Sequence, residues 1–154
     1  MLSLGVYLLK IKIDKSQDPH KLFCLIRRKW IELTPEEIVR QSAILHCLNR
    51  GYPAGRISVE RKIEFNNLSR RYDIVVYNKK GEPEILIECK AMHHPIKQAV
   101  LDQATAYNHK LSTTILWLTN GHSNMVFEVD KTSVGLKSLK NIPLYSADPY
   151  LEEQ

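Results

Sequence analysis

Two neighbouring apolar segments, "RYDIVVY" at 71–77 and "EILIECK" at 84–90, constrain the fold of this chain more than any other feature. Both are rich in strand-favouring residues, and the polar stretch "NKKGEP" between them contains a glycine, so together they predict an antiparallel hairpin. Yet Asp73 lies inside the first strand, and Glu88 and Lys90 lie in the second. If Tyr77 pairs with Glu84, paired residue numbers sum to 161 and Asp73 falls opposite Glu88. The two carboxylates then share one face, about 5 Å apart at Cβ. Lys90 joins them, while Ile85, Ile87 and Cys89 point the other way. Like charges placed opposite each other destabilise a sheet, and a divalent cation reverses the sign of that interaction. Carboxylate oxygens are hard ligands suited to magnesium. A lysine beside such a metal can orient a water nucleophile or stabilise charge developing on a phosphate. On this reading Asp73→Asn should stabilise the metal-free fold. The competing reading is a structural ion pair between Lys90 and one of the two acids at a strand end.

Around this hairpin the chain of 154 residues predicts a single α/β domain, with a core at about 34–130, an N-terminal extension at 1–33 and a tail at 131–154. Residues 4–13 and 21–33 read as strands or as strand–helix ambiguities. Thr34, Pro35 and Glu37 mark a helix start, Ile38, Ile44, Leu45 and Leu48 continue it, and Gly51 and Pro53 stop it. Residues 56–65 alternate, with Ile57, Val59, Ile63 and Phe65 apolar. After the hairpin, a second helix is expected from Pro95 to about Lys110, with Ile96, Ala99, Val100, Ala106 and Tyr107 on one broad face. The near-continuous apolar run 113–119 predicts a strand covered on both faces. Asn120 and Gly121 then turn the chain into a last strand at 124–130. The polar tail beyond Asp130 gives no placement.

A net charge of +5 is compatible with a polyanionic partner. Cys24, Cys47 and Cys89 are widely spaced, which points to a reducing, cytoplasmic setting and neither a disulfide framework nor a zinc ribbon. The run "LSLGVYLL" is too short to span a bilayer, so no membrane association is expected. His93 and His94 are adjacent and expected to diverge, which disfavours a shared zinc site; His94 is expected to help begin the helix at Pro95.

The segments "LTPEEIVRQ", "GYPAGRISVERKI", "RYDIVVYNKKGEPEILIECKA", "QATAYN" and "LTNG" cover most of residues 24–145. In this order they resemble the PD-(D/E)XK nuclease superfamily, and within it the N-terminal nuclease-like domain of type I restriction enzyme R subunits. The resemblance implies a restriction-endonuclease-like core, a mixed central sheet flanked by helices in the order α-β-β-β-α-β with extra strands. It implies a magnesium- or manganese-dependent hydrolase of DNA phosphodiesters, with Asp73, Glu88 and Lys90 catalytic. Asp73 and Glu88 would hold the metal, with the Cys89 backbone carbonyl and Glu37 as further contributors. Glu37 also reads as a capping-box residue. Cys89 itself reads as a buried small hydrophobe. Gln103 and Tyr107 resemble a Q-x-x-x-Y motif that contacts nucleic acid, and both are expected in the apolar stripe of the second helix. Arg70 and Arg71 are candidates for phosphate contacts, as are Arg27–Arg28, Arg61–Lys62 and Lys79–Lys80. Tyr72 stands where the superfamily's name puts proline. The sequence has no G-x-x-x-x-G-K-[ST] motif, so any translocation would come from a separate helicase or translocase, with a specificity subunit as a further partner. The alternative function is a non-catalytic nucleic-acid- or protein-binding module on the same fold; a phosphatase is the remaining one.

Overall fold

The helix start at Thr34 is realised in the computed structural model, which describes residues 2–65, 67–133 and 135–145. Helix α1 runs Pro35–Asn49, and the Thr34 side chain accepts the Glu37 N–H. Such a cap contributes about 1 kcal/mol. The Glu37 carboxylate does not close a capping box but faces Arg27 and Arg40. The helix ends as Gly51 takes φ +93°, which glycine adopts without a Cβ clash.

Six strands follow: β4 (Ile57–Phe65), β5 (Leu68–Tyr77), β6 (Pro83–Cys89), β7 (Ile115–Thr119), β8 (Asn124–Val129) and β9 (Leu136–Leu139), which lie in that order across one sheet. Every neighbouring pair is antiparallel except β6 and β7, which are parallel. A parallel pair needs a crossover, and helix α2 (Gln98–Leu111) supplies it. On one face, Val39, Ala43, Ile44 and Cys47 of α1 pack on Ile74, Val76, Ile85, Ile87, Cys89 and Trp117. On the other, Tyr107 and Leu111 of α2 cover Tyr72, Val75, Leu86 and Leu116. All five residues of β7 are buried, as a strand between two helical layers must be. The result is a mixed sheet between helices in the order α-β-β-β-α-β, the restriction-endonuclease-like architecture, with β8 and β9 added at one edge. The tail beyond Asp130 thus supplies an edge strand; residues 146–154 lie outside those described, as do the side chains of Ile63 and Phe65.

One local ambiguity is settled and two expectations change. Residues Gly5–Lys10 form a 3-10 helix, in the 4–13 stretch that the sequence leaves open between strand and helix. Leu4 and Tyr7 are buried but Leu9 is 99% exposed, so no strand alternation exists there. Beyond it, β1 (Ile13–Asp14), β2 (Lys21–Cys24) and β3 (Lys29–Glu32) make a separate antiparallel sheet. Helix α2 begins at Gln98, after an N-cap at Lys97 with no side-chain bond, so His94 does not start it. Its buried positions are Ala104 and Asn108, whereas Ala99 and Ala106 are exposed. Asn108 is buried because its amide closes on Thr113: its Nδ2 donates to the Thr113 carbonyl at 3.1 Å and its Oδ1 accepts the Thr113 N–H at 2.9 Å. Among the described residues no helix is long and apolar enough to cross a membrane.

Candidate active site

Strands β5 and β6 pair as Val76 with Ile85, Val75 with Leu86 and Ile74 with Ile87, each summing to 161. The turn enters this register differently from the expected Tyr77–Glu84 pair. The Asn78 side chain accepts the N–H groups of Lys80 and Glu82, Tyr77 pairs with Pro83, and the register shifts between Val76 and Tyr77. The ladder stops at Ile74 and Ile87, so Asp73 and Glu88 lie where the strands part. There Asp73 Oδ2 accepts the Cys89 N–H at 2.9 Å. On the other side of β5, Val59 pairs with Ile74 and Arg61 with Tyr72, but Glu60 and Asp73 between them do not pair. Glu60 has φ +50°, a conformation that costs a non-glycine residue about 1–3 kcal/mol. The sheet thus opens around Asp73 on both sides.

Arginines from two directions fill the opening. Arg40 of α1, its side chain 4% exposed, donates from Nη2 to Asp73 Oδ1 at 2.7 Å and from Nη1 to Glu37. It also lies 3.4 Å from Glu36 and 3.6 Å from Glu60. Burial opposes its charge, but the hydrogen bond to Asp73 and the nearby acids outweigh this and hold the guanidinium above its usual pKa. Arg27, in the β2–β3 turn, donates to Glu60 at 2.9 Å and to both Glu37 oxygens at 3.1 and 3.2 Å. Glu37 is therefore engaged by two arginines. Glu36 is the α1 carboxylate that feels the cluster: burial and the Asp73 charge raise its pKa, while Arg40 and Lys90 oppose the rise.

Glu88 is 8% exposed. Burial, then the neighbouring Asp73 charge, push its carboxyl up to about 9, with Lys90 acting the other way. Its Oε1 is buried without a hydrogen-bond partner. A buried carboxyl with an orphaned oxygen, beside a second carboxylate, is what a hard divalent cation would stabilise. Among the described residues no three Asp, Glu, His or Cys side chains are gathered closely enough to hold a metal. Magnesium, which keeps several waters and takes one or two carboxylates, needs no third. Each Asp73 oxygen has a second lone pair beyond the one used by Arg40 or Cys89, so the donor set fits. Lys90 follows directly, its N–H bonded to the Thr119 carbonyl at 2.9 Å. Cys89 is fully buried on the α1 side, where burial raises its thiol pKa well above the ordinary value; it is a core residue and no nucleophile.

On α2, Gln103 is exposed, outside the buried stripe, and its Nε2 donates to the Tyr107 hydroxyl at 2.7 Å. Tyr107 is half-buried, with its ring edge-to-face with Tyr72 at 5.7 Å and the Arg70 guanidinium 4.7 Å above it. Tyr72 at the superfamily's proline position has a packing role: it is 3% exposed and its hydroxyl donates to the Tyr107 carbonyl at 3.3 Å. Arg71 is 54% exposed and lies 3.9 Å from Glu60. The His93 and His94 rings do not diverge but lie 4.5 Å apart on an exposed loop. Sequence reasoning passed over Arg40, Glu36 and Glu60. A signal existed for Arg40, which precedes buried Ile44 by four residues and Cys47 by seven, on the core stripe of the helix.

Residues 35–143 match the family described as type I restriction enzyme R protein N terminus (HSDR_N). Among solved structures, the chain resembles the fragment structure of a chain assigned as the HsdR subunit of a type I restriction enzyme from Vibrio vulnificus YJ016. The TM-score is 0.52 at 20% identity, over 72% of this chain and 24% of that one. A protein from Anabaena variabilis ATCC 29413, assigned as a nuclease of the DUF820 group, gives a TM-score of 0.47 at 14% identity, over 92% and 86% of the two chains. At such identities the first likeness concerns fold alone, and this chain spans about a quarter of the R-subunit chain. No curated protein gives a significant match.

Proposed function

The chain belongs to the type I restriction enzyme R protein N-terminus family, and from that premise we propose that it is a magnesium-dependent DNA phosphodiester hydrolase, with manganese able to replace magnesium. The observation that carries this reading is Glu88: a buried carboxyl with an unpartnered oxygen, set beside Asp73 where the sheet parts. Asp73 and Glu88 would hold the metal, with the Cys89 backbone carbonyl as a further contributor, while the Cys89 N–H fixes one Asp73 oxygen. Magnesium there would offset phosphate charge and make a bound water more acidic. Lys90 orients the water and donates to the phosphate oxygens as negative charge builds. Arg40 holds Asp73 in place before any metal arrives. Glu37, taken up by two arginines, supports that ion-pair network, and Glu36 is the better placed α1 acid.

DNA is the substrate we propose, working in the cytoplasm with a separate helicase or translocase and a specificity subunit. Gln103, Tyr107, Arg70 and Arg71 would contact the strand. The test is incubation of the chain with supercoiled, linear and single-stranded DNA, with magnesium, manganese or chelator. Nicking or degradation that requires metal is expected. Inactivity on every substrate and metal would leave the fold as a binding module.

Tyr107→Phe separates contact from packing at α2. It keeps the ring against Tyr72 and Arg70 but removes the hydroxyl bonded to Gln103. Stability should change by under about 0.5 kcal/mol, while DNA affinity measured in calcium falls several-fold. Unchanged affinity would make Tyr107 a packing residue.

A further inference from the structure

Residues 1–33 carry seven Lys and Arg against three Asp and Glu, so four of the five net positive charges of the chain fall in this segment. The segment lies outside the 35–143 region that matches the family. The small sheet places this charge beside two aromatic rings. Leu22 and Cys24 of β2 are fully buried, and Phe23 between them turns outward. Phe23 pairs with Trp30 of β3, their ring centroids 5.4 Å apart and edge-to-face. Trp30 is 49% exposed. The Lys12 ammonium sits 5.9 Å from the Phe23 ring centroid, Lys21 shares the face of Phe23 and Trp30 opposite Glu32, and Arg28 in the turn before Trp30 is exposed. A single exposed aromatic is ordinary; one supported by a second ring and set among cations has the composition of a nucleic-acid stacking surface. The hairpin carrying it is anchored at the candidate active site by Arg27, three residues before Trp30, through Glu60 and Glu37.

We propose that this N-terminal sheet binds a single-stranded nucleic-acid segment. An unpaired base stacks on Trp30, while Lys12, Lys21 and Arg28 neutralise its phosphates. A single strand fits because duplex bases are already stacked on each other and offer no free face along their length. The inference deepens the nuclease reading by naming a strand-binding surface beside the site, but the binding is measured without cleavage.

The test is titration of the full chain, in calcium, with an oligothymidylate of about 20 nucleotides. Trp30 and Trp117 are the tryptophans of the chain, and Trp117 is fully buried, so quenching of emission reports Trp30. Quenching is expected. Trp30→Ala, which removes the reporter and is read instead by anisotropy of a fluorescein-labelled oligothymidylate, should weaken affinity about 10-fold or more with an unchanged salt slope, because stacking releases no counterions. Lys21→Ala with Arg28→Ala should reduce the salt slope by about 1.4, roughly 0.7 for each phosphate contact on a single strand, and carries the test alone if Trp30→Ala does not fold. The proposal is overturned if the wild type shows no quenching, or if affinity and slope survive both sets of changes. Quenching by polyglutamate but not oligothymidylate would overturn it too, by assigning the surface to an acidic protein partner. Failure here is distinct from failure of the nuclease reading: Lys90→Ala should keep the quenching and lose only cleavage.

Discussion

Lys90→Ala is expected to abolish metal-dependent cleavage, lowering the rate by about 10²–10⁴-fold, the range for losing a positioned proton-transfer or charge-stabilising group. The fold should survive, because Lys90 follows the last residue of β6 and ties to the sheet through its backbone N–H, not its side chain. Its ammonium is the cation that opposes the pKa rise at both Glu88 and Glu36. It therefore stands among the groups that would meet a phosphate at this site. Lys90→Arg keeps charge but not geometry, and should recover little activity. If Lys90→Ala cleaves as fast as wild type, the activity belongs to another site.

The second large effect is on stability, and its sign differs between the two acids. The sequence pattern alone predicts that Asp73→Asn stabilises the metal-free protein by relieving repulsion. The structure reverses this, because Asp73 is the 2.7 Å partner of an arginine only 4% exposed. Asparagine removes the charge facing Arg40 and offers one acceptor oxygen where Asp73 serves both Arg40 and the Cys89 N–H, so Asp73→Asn should cost about 1–3 kcal/mol. Glu88→Gln should instead stabilise the metal-free protein by about 1–3 kcal/mol near pH 7. Burial and Asp73 raise the folded-state pKa of Glu88 from 4.5 to about 9. Within that window the folded chain keeps a proton that the unfolded chain has lost, so stability falls as pH rises, by up to about 1.4 kcal/mol per unit. Buried His46 has a lowered pKa and loses stability on the acid side, so the comparison belongs between about pH 7 and 9. Wild type should lose stability across that interval and Glu88→Gln should lose less. Magnesium should raise the melting temperature of wild type by mass action and that of the variant much less. Equal pH slopes in the two proteins would show that Glu88 titrates as an ordinary surface acid.

The hairpin, its inner register and the acids at its open end were legible because strand alternation is local and charged residues interrupt it visibly. What joins the acids was not. Arg27 reaches the site from a hairpin whose strands the sequence left ambiguous, and it captures Glu37, which the family resemblance had nominated as a metal ligand. The left-handed backbone of Glu60 has no signature in "ISVERKI", because it arises from neighbouring strands parting around Asp73. In α2 the alanines carried too little pattern to fix the buried face. Ala99 and Ala106 are exposed, while polar Asn108 is buried by its bonds to Thr113, a pairing across the end of the helix.

The most direct test of the metal centre is crystallographic. Crystals soaked in manganese, with diffraction recorded at the manganese absorption edge, should show an anomalous peak within about 2.0–2.3 Å of oxygens from both Asp73 and Glu88. The peak should be absent from Glu88→Gln. A peak elsewhere, or none between these two carboxylates while manganese supports cleavage, would contradict the account.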